Sequence, residues 1–354
     1  MGRHLDFPRS NRHFRGYSTH IQHVAAGFCV LYLVTGLVGC SGTPQAQFND
    51  VRTRSYRYDQ WDVFTDEVLT GNQLAVFMDP VGLTGNLMQK IAREMAFSET
   101  TFVFPAETEG TDFRLRIFGP NREMPFAGHP TIGTAFALAH QGRISPGARQ
   151  VVFGEGIGPV IVDLEWDGER LMFAWMHQLP PTFGKPIEDL DSVAEALGVE
   201  PFELRSTKLP VQEVSCGSPF ILVPLASRSA VDKAVVNSVA MASILEKAGV
   251  PRRSIFIFSL EPAQDDATVY SRMVGFGDRE DPATGSASGP LGAYLVHHGA
   301  VSAQEADEIL SRQGVQMGRP SWIYIRIGTQ GEAIDDVLVG GGSVFAGQGT
   351  VIVP

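Results

Sequence analysis

The 354-residue sequence is short of cysteine, of basic charge and of long apolar runs, and each shortage removes a class of protein. Three cysteines, Cys29, Cys40 and Cys216, cannot build a disulfide framework or a structural zinc site. The formal charge is −11, and because residues 1–39 carry Arg3, Arg9, Arg12 and Arg15 against Asp6 alone, the remainder carries −14. An acidic body of this kind argues against nucleic acid and against broad attachment to anionic lipid. The glycines of Gly154-Glu155-Gly156-Ile157-Gly158 lack dinucleotide-binding spacing and read as a turn between strands, as Gly340-Gly341-Gly342 do before a last strand. In Gly285-Ser286-Ala287-Ser288-Gly289 the serine is misplaced for a hydrolase elbow. What is present, 44% apolar residues with 22 Phe, is ample for a core, and the length suggests two domains.

Between Arg15 and Asp50 there is no Lys, Arg, Asp or Glu. The apolar run Val24 to Gly39 within that gap spans about 24 Å as a helix, short of a comfortable bilayer crossing. A basic segment, a short apolar segment and small residues form a secretory-signal pattern. Its end, Leu37-Val38-Gly39-Cys40, resembles a bacterial lipobox, in which the cysteine is lipidated and becomes the new N-terminus. Residues 1–40 are therefore expected to be a lipoprotein-type signal and residues 41–56 a tether with a flexible Gly/Pro/Gln-rich start. The expected location is the periplasmic face of a membrane, and Ser41 beside Cys40 favours the outer one. Two other readings stand beside this: an uncleaved signal anchor, and a misassigned start that leaves the protein in the cytoplasm. Cleavage would remove Cys29 and leave Cys216 as the one thiol, read as a buried small hydrophobe.

From Tyr58 onward, short β-rich runs alternate with amphipathic helices. Trp61 to Phe64 and Gln73 to Phe77 read as strands around the turn Thr70-Gly71-Asn72. Leu87, Met88, Ile91, Ala92 and Met95 mark a helical stripe, and Thr101 to Phe104 and Phe113 to Phe118 are strands again. The order suggests an α+β fold rather than a Rossmann alternation.

An internal repeat is the most informative feature. Arg116-Ile117-Phe118-Gly119 matches Arg272-Met273-Val274-Gly275. After a one-residue gap, Arg122-Glu123-Met124-Pro125-Phe126-Ala127-Gly128-His129 matches Arg279-Glu280-Asp281-Pro282-Ala283-Thr284-Gly285-Ser286, and Leu138, His140 and Gly142 match Leu295, His297 and Gly299. The period is too long for a solenoid and fits two homologous halves facing each other across a pseudo-twofold axis. Each copy reads strand, sharp glycine turn, helix, with Pro130 in a first helical turn and Gly142 and Gly299 at helix ends. Two helix N-termini sharing one cleft would offer free N–H groups and positive dipole ends to a small anion, above all a carboxylate. The adjacent His297 and His298 close a helix and face different directions, which does not suit a metal.

These residues resemble the PhzF family of phenazine-biosynthesis isomerases and relatives, which shares the diaminopimelate epimerase and proline racemase fold. The resemblance spans Tyr58 to Val353. It is carried by Leu69-Thr70-Gly71-Asn72, by Ile91-Ala92-Arg93-Glu94-Met95 with Ser98-Glu99-Thr100, by Pro125 to Pro130, and by Asp281 to Ala287. It implies two pseudo-symmetric α+β halves, each a curved mixed sheet around a central helix, with the active site between them. The first half is placed at residues 57–178 and the second at 179–342, with strand 343–354 returning to the first. A homodimer and no cofactor are also implied. The epimerases and racemases of this fold use one cysteine from each half. Here Ala127 stands where the first would be and the second motif has none, so carboxylate chemistry must replace a thiolate pair.

By the same resemblance Glu99 is the proton-transferring acid/base, Asp281 and His129 flank the substrate's polar groups, and Gly128, Gly285 and Ser286 bind its carboxylate, with Asn72 also at the substrate. A carboxyl buried between two halves near a second acid has a raised pKa, suited to collecting and delivering a proton. The expected function is cofactor-independent proton transfer on a small carboxylate-bearing molecule, with cyclic amino acids as the leading class. The alternative is a non-catalytic lipoprotein that binds small carboxylates in the same cleft.

Overall fold

Runs of alternating apolar residues set the strands, and one order of strands occurs twice. In the computed structural model, which describes residues 53–275, 280–331 and 333–354, the first half runs β1 (Arg54–Val63), β2 (Asn72–Phe77), α1 (Gly85–Met95), β3 (Glu99–Pro105), β4 (Phe113–Phe118), β5 (Glu123–Met124), α2 (Gly128–His140), β6 (Gln150–Glu155), β7 (Gly158–Asp167) and β8 (Arg170–His177). The second half continues with β9 (Thr182–Ile187), α3 (Leu190–Leu197), α4 (Pro201–Arg205), β10 (Val211–Ser215), β11 (Pro219–Pro224), α5 (Arg228–Lys233) and α6 (Ser238–Lys247). It is completed by β12 (Ile255–Ser259), β13 (Val269–Val274), α7 (Gly285–His297), β14 (Ile309–Gln313), β15 (Ser321–Gln330) and β16 (Ala333–Gly341), before the last strand β17 (Ser343–Val353).

Hydrogen bonding orders the first sheet β17-β1-β2-β3-β4-β6-β7-β8. It orders the second β9-β10-β11-β12-β13-β14-β15-β16. Neighbours are antiparallel except at the same two places in each half: β2/β3 and β4/β6 in one, β11/β12 and β13/β14 in the other. Strands β8 and β16 pair and join the sheets. The fold is the expected α+β architecture of two pseudo-symmetric halves.

Each sheet wraps a 13-residue helix. A helix enclosed by its own sheet must be apolar all round, and α2 is buried from Gly128 to Leu138, α7 from Gly285 to Leu295 with Ser286 half-buried. Val63, Leu74, Ile117 and Phe153 pack in the α2 core, and Leu222, Phe256, Phe258 and Ile325 in the α7 core. The stripe on α1 buries Met88, Ile91 and Ala92 as its spacing requires. Buried Cys216 behaves as a small hydrophobe, its thiol pushed up to about 12 by burial.

Two expectations shift. Residues 54–56, assigned to the tether, already lie in β1 opposite Val353 to Val351, with Tyr56 buried beside Phe77 and Leu83; the strand is made by a partner 300 residues away in sequence, which local composition cannot reveal. Gly340 and Gly341, read as turn, belong to β16. A side chain at Gly340 would begin 2.5 Å from Trp175, and one at Gly341 would begin 2.5 Å from Phe64. The signal segment with Cys29 and Cys40, residues 41–52 of the tether and Arg279 of the repeat lie outside the described residues.

Candidate active site

The turn Leu69-Thr70-Gly71-Asn72 sits at the junction of the halves. Gly71 adopts φ +65°, and a Cβ there would meet the Val63 carbonyl at 2.4 Å, so the turn takes only glycine at that position. Arg319 reaches across from the second half, donating from Nε to Gly71 O (2.7 Å) and from Nη2 to Asp62 Oδ1 (2.6 Å). Buried Asp62 also accepts from Leu69 N at 2.7 Å. This clamp sets Asn72, the first residue of β2, into the interior.

Asn72 Nδ2 lies 2.7 Å from Asp281 Oδ1, 2.9 Å from Ala283 O and 3.1 Å from His129 Nδ1. Two hydrogens cannot serve three acceptors, and the two shorter contacts take them. Asn72 is thus a strut that ties Asp281 to the first half through its amide hydrogens. Asp281 also accepts from Ser98 Oγ (2.7 Å) on Oδ1 and from Thr284 Oγ1 (2.6 Å) on Oδ2. Gln313 completes the frame, donating to Asp281 O (2.7 Å) and Thr284 Oγ1 (3.0 Å) and accepting from Thr284 N (3.0 Å). Burial raises the Asp281 pKa and these three side-chain donors oppose it.

Glu99 opens β3, set there by the parallel pairing of Leu74 with Glu99. About one-fifth of its side chain is exposed, and its carboxyl makes no hydrogen bond to another described residue. Burial, and then the nearby charge of Asp281, push its pKa up to about 8. His129 Nε2 lies 3.5 Å from Glu99 Oε2, too far for a hydrogen bond, and has no other partner among the described residues. Burial pushes the His129 pKa down to about 3, against a ring N–H bond donated to the Gln73 backbone. Near neutral pH the ring is therefore uncharged. Among the described residues three side-chain donors meet Asp281 and none meets Glu99, so of the two acids Glu99 is the better suited to hold a proton.

The ends of α2 and α7 abut. A Cβ on Gly128 would lie 2.5 Å from Ser286 N and 2.7 Å from Gly285 Cα, so the two glycine turns meet backbone to backbone. Their N-cap positions are Ala127 and Thr284, at the expected repeat offset. Beside Glu99 the structure thus gathers two positive helix ends able to share one carboxylate.

Glu99, His129, Asp281, Asn72, Gly128, Gly285 and Ser286 are all brought to this junction. Reading the sequence missed Thr284, Gln313 and Arg319, which belong to the same bonded frame; Thr284 alone carried a signal, as the repeat partner of Ala127. Glu155, buried beneath the start of α2, was passed over inside a glycine turn. A groove of about 700 Å³ lined by Arg57, Tyr58, Arg143 and Thr350 contains none of these residues. Among the described residues there is no cluster of His, Cys, Asp and Glu that could hold a metal ion.

Residues 61–349 match the family of phenazine biosynthesis-like proteins (PhzC-PhzF). The trans-2,3-dihydro-3-hydroxyanthranilate isomerase of Pseudomonas aeruginosa is 35% identical over 295 residues, 82% of this chain and 98% of that enzyme. The crystal structure of a PhzF-family phenazine biosynthesis protein from Bacillus anthracis matches with a TM-score of 0.74 at 26% identity, over 85% of this chain and 100% of the other. A hydroxyproline epimerase from Agrobacterium vitis shares the fold, with a TM-score of 0.61 at 14% identity over 85% and 93% of the two chains.

Proposed function

Since the chain belongs to the phenazine biosynthesis-like (PhzF) family and is an isomerase of that family, we propose that it moves a proton between two carbons of a small carboxylate-bearing substrate without a cofactor, using Glu99 as the carrier. The observation that carries this reading is a carboxyl poised at about 8 that accepts no hydrogen bond from another described residue and lies beside two abutting helix N-termini. The substrate carboxylate sits on the backbone N–H groups of Gly128, Gly285 and Ser286. Ionised Glu99 takes a proton from one carbon, and the negative charge spreads into the substrate's conjugated system toward the helix ends, which stabilise it. Glu99 then returns the proton at another carbon and is regenerated as the anion, so substrate and product are isomers. An acid of this strength is basic enough to take a carbon-bound proton, and with about one-fifth of its side chain exposed it exchanges that proton with solvent before delivery. Burial, reinforced by the charge of Asp281, keeps the Glu99 pKa high, and neutral His129 offers Nε2 to a polar group of the substrate.

Cyclic amino acids are one substrate class to test, and trans-2,3-dihydro-3-hydroxyanthranilate, the substrate in the relative's name, is the first compound to assay. Wild type should isomerise at least one member of a cyclic amino acid panel, and Glu99→Gln should bind it without turnover. Binding without turnover by both proteins would instead support the carboxylate-binding reading. The pattern of residues 24–41 supports export and lipidation at Cys40, tested by fatty-acid labelling that Cys40→Ser abolishes. Family resemblance supports a homodimer, tested by light scattering.

A further inference from the structure

Glu155 ends β6, and its counterpart across the pseudo-twofold axis is Gln313. The parallel pairs align Arg114 with Gly154 in one half and Tyr270 with Arg312 in the other, so the next residues, Glu155 and Gln313, are equivalent. Both lie under the first turn of a central helix. Gln313 braces the α7 turn as an amide, donating to Asp281 O and accepting from Thr284 N.

Glu155 meets the α2 turn through Thr131. Thr131 Oγ1 is 2.6 Å from Glu155 Oε1 and 2.7 Å from Ala127 O. One hydroxyl hydrogen cannot serve both, and a carbonyl has none to give. A proton on Glu155 satisfies both contacts at once: Thr131 then donates to Ala127 O and accepts from Glu155 Oε1. A protonated acid is the donor-plus-acceptor equivalent of Gln313. Glu155 is 6% exposed, and its Oε2 has no partner among the described residues, a setting that penalises an anion. Burial pushes its pKa up to about 8, against the hydrogen bond that an anion would draw from Thr131 and against the charge of Arg114. Arg114, on β4, is the charged group facing it, and its Nη1 is bound to Gly154 O at 2.7 Å. From α2, Thr131 contributes a hydroxyl, and His129 is turned to Asn72 and Glu99; β7 presents Gly158 opposite it.

We propose that Glu155 is a positioning residue of the carboxylate site: as a neutral acid it braces the start of α2, and on ionising it sets a negative charge beneath the helix end that holds the substrate's carboxylate. This rests on reading that helix end as the anion site. Affinity for a carboxylate should then fall as pH rises through the alkaline range, by about tenfold, the order expected for like charges close together in a partly desolvated site.

The test uses anthranilate as probe and Glu99→Gln as background, so that Glu99 cannot contribute the titration. Calorimetric affinities between pH 6.5 and 9.5 should fall about tenfold in Glu99→Gln and stay level in Glu99→Gln with Glu155→Gln, whose amide keeps the brace. Parallel profiles in the two proteins would overturn the proposal. In the same proteins without ligand, the Gly128 and Thr131 amide resonances should titrate with a midpoint near 8 only where Glu155 is present. If anthranilate binds neither protein, the anion-site reading fails, and the amide titration still decides Glu155: movement that Glu155→Gln abolishes upholds the neutral brace, and its absence overturns it.

Discussion

Replacing Gly128 by alanine perturbs the site through one methyl group. The new Cβ would start 2.5 Å from Ser286 N and 2.7 Å from Gly285 Cα, where ordinary contact begins at 3.4 Å. The helix ends must part by roughly 1 Å, and because the clash is with backbone, no rotamer change relieves it. Overpacking of this kind costs about 1–3 kcal/mol in stability. The larger effect falls on function, since the displaced groups are the N–H donors assigned to the substrate's carboxylate. A displacement of that size at a reacting site costs about 10²-fold in rate. Steady-state kinetics and urea unfolding of Gly128→Ala should therefore show a loss of kcat/KM far beyond what the modest loss of stability explains. Gly347→Ala, on β17 where a Cβ meets nothing within 4 Å, should leave both unchanged. Gly128→Ala with kinetics within about twofold of wild type would refute the shared-anion geometry.

Three other outcomes follow from the same structure. Asp281→Asn removes the charge that helps hold the Glu99 pKa up; the rising limb of kcat/KM against pH should move to lower pH, and an unmoved limb contradicts the coupling. Buried Glu155 ionises at about 8 in the folded chain against its ordinary 4.5, so between those values the unfolded chain has lost a proton that the folded chain keeps. Stability then falls as pH rises, by about 1.4 kcal/mol per pH unit for this group. The advantage of Glu155→Gln over wild type in urea should accordingly grow from pH 5.5 to 7.5, and a constant difference contradicts it. Arg319→Ala strands the buried Asp62 carboxylate and should cost about 3–5 kcal/mol in urea unfolding; a loss below about 1 kcal/mol would place the clamp among weak surface pairs.

The repeat was legible where backbone geometry demands particular residues. Gly128 and Gly285 recur because helix ends meet there, and Gly142 and Gly299 recur because both helices stop in left-handed turns at φ +68° and +65°. Strands of the two halves share pattern rather than identity: β6 reads QVVFGE and β14 reads ILSRQ. The equivalence of Glu155 and Gln313 is therefore visible only from their pairing. Glu99 and Asp281 could be nominated from their motifs, but their contrast could not. It depends on Ser98, Asn72 and Thr284 all donating to Asp281 while no described residue donates to Glu99. Arg319 lay beyond reach because its partners, Asp62 and Gly71, are about 250 residues away, and one chain carries no sign of which arginine crosses the junction.

The central claim is that Glu99 carries the proton, and isomerisation in deuterated water tests it most directly. Wild type should incorporate solvent deuterium at the carbon that receives the proton, read by mass spectrometry and NMR on the product. Glu99→Gln should bind the substrate and incorporate it at least about 10²-fold more slowly, the usual contribution of a positioned acid/base. Incorporation by Glu99→Gln at the wild-type rate would contradict the account.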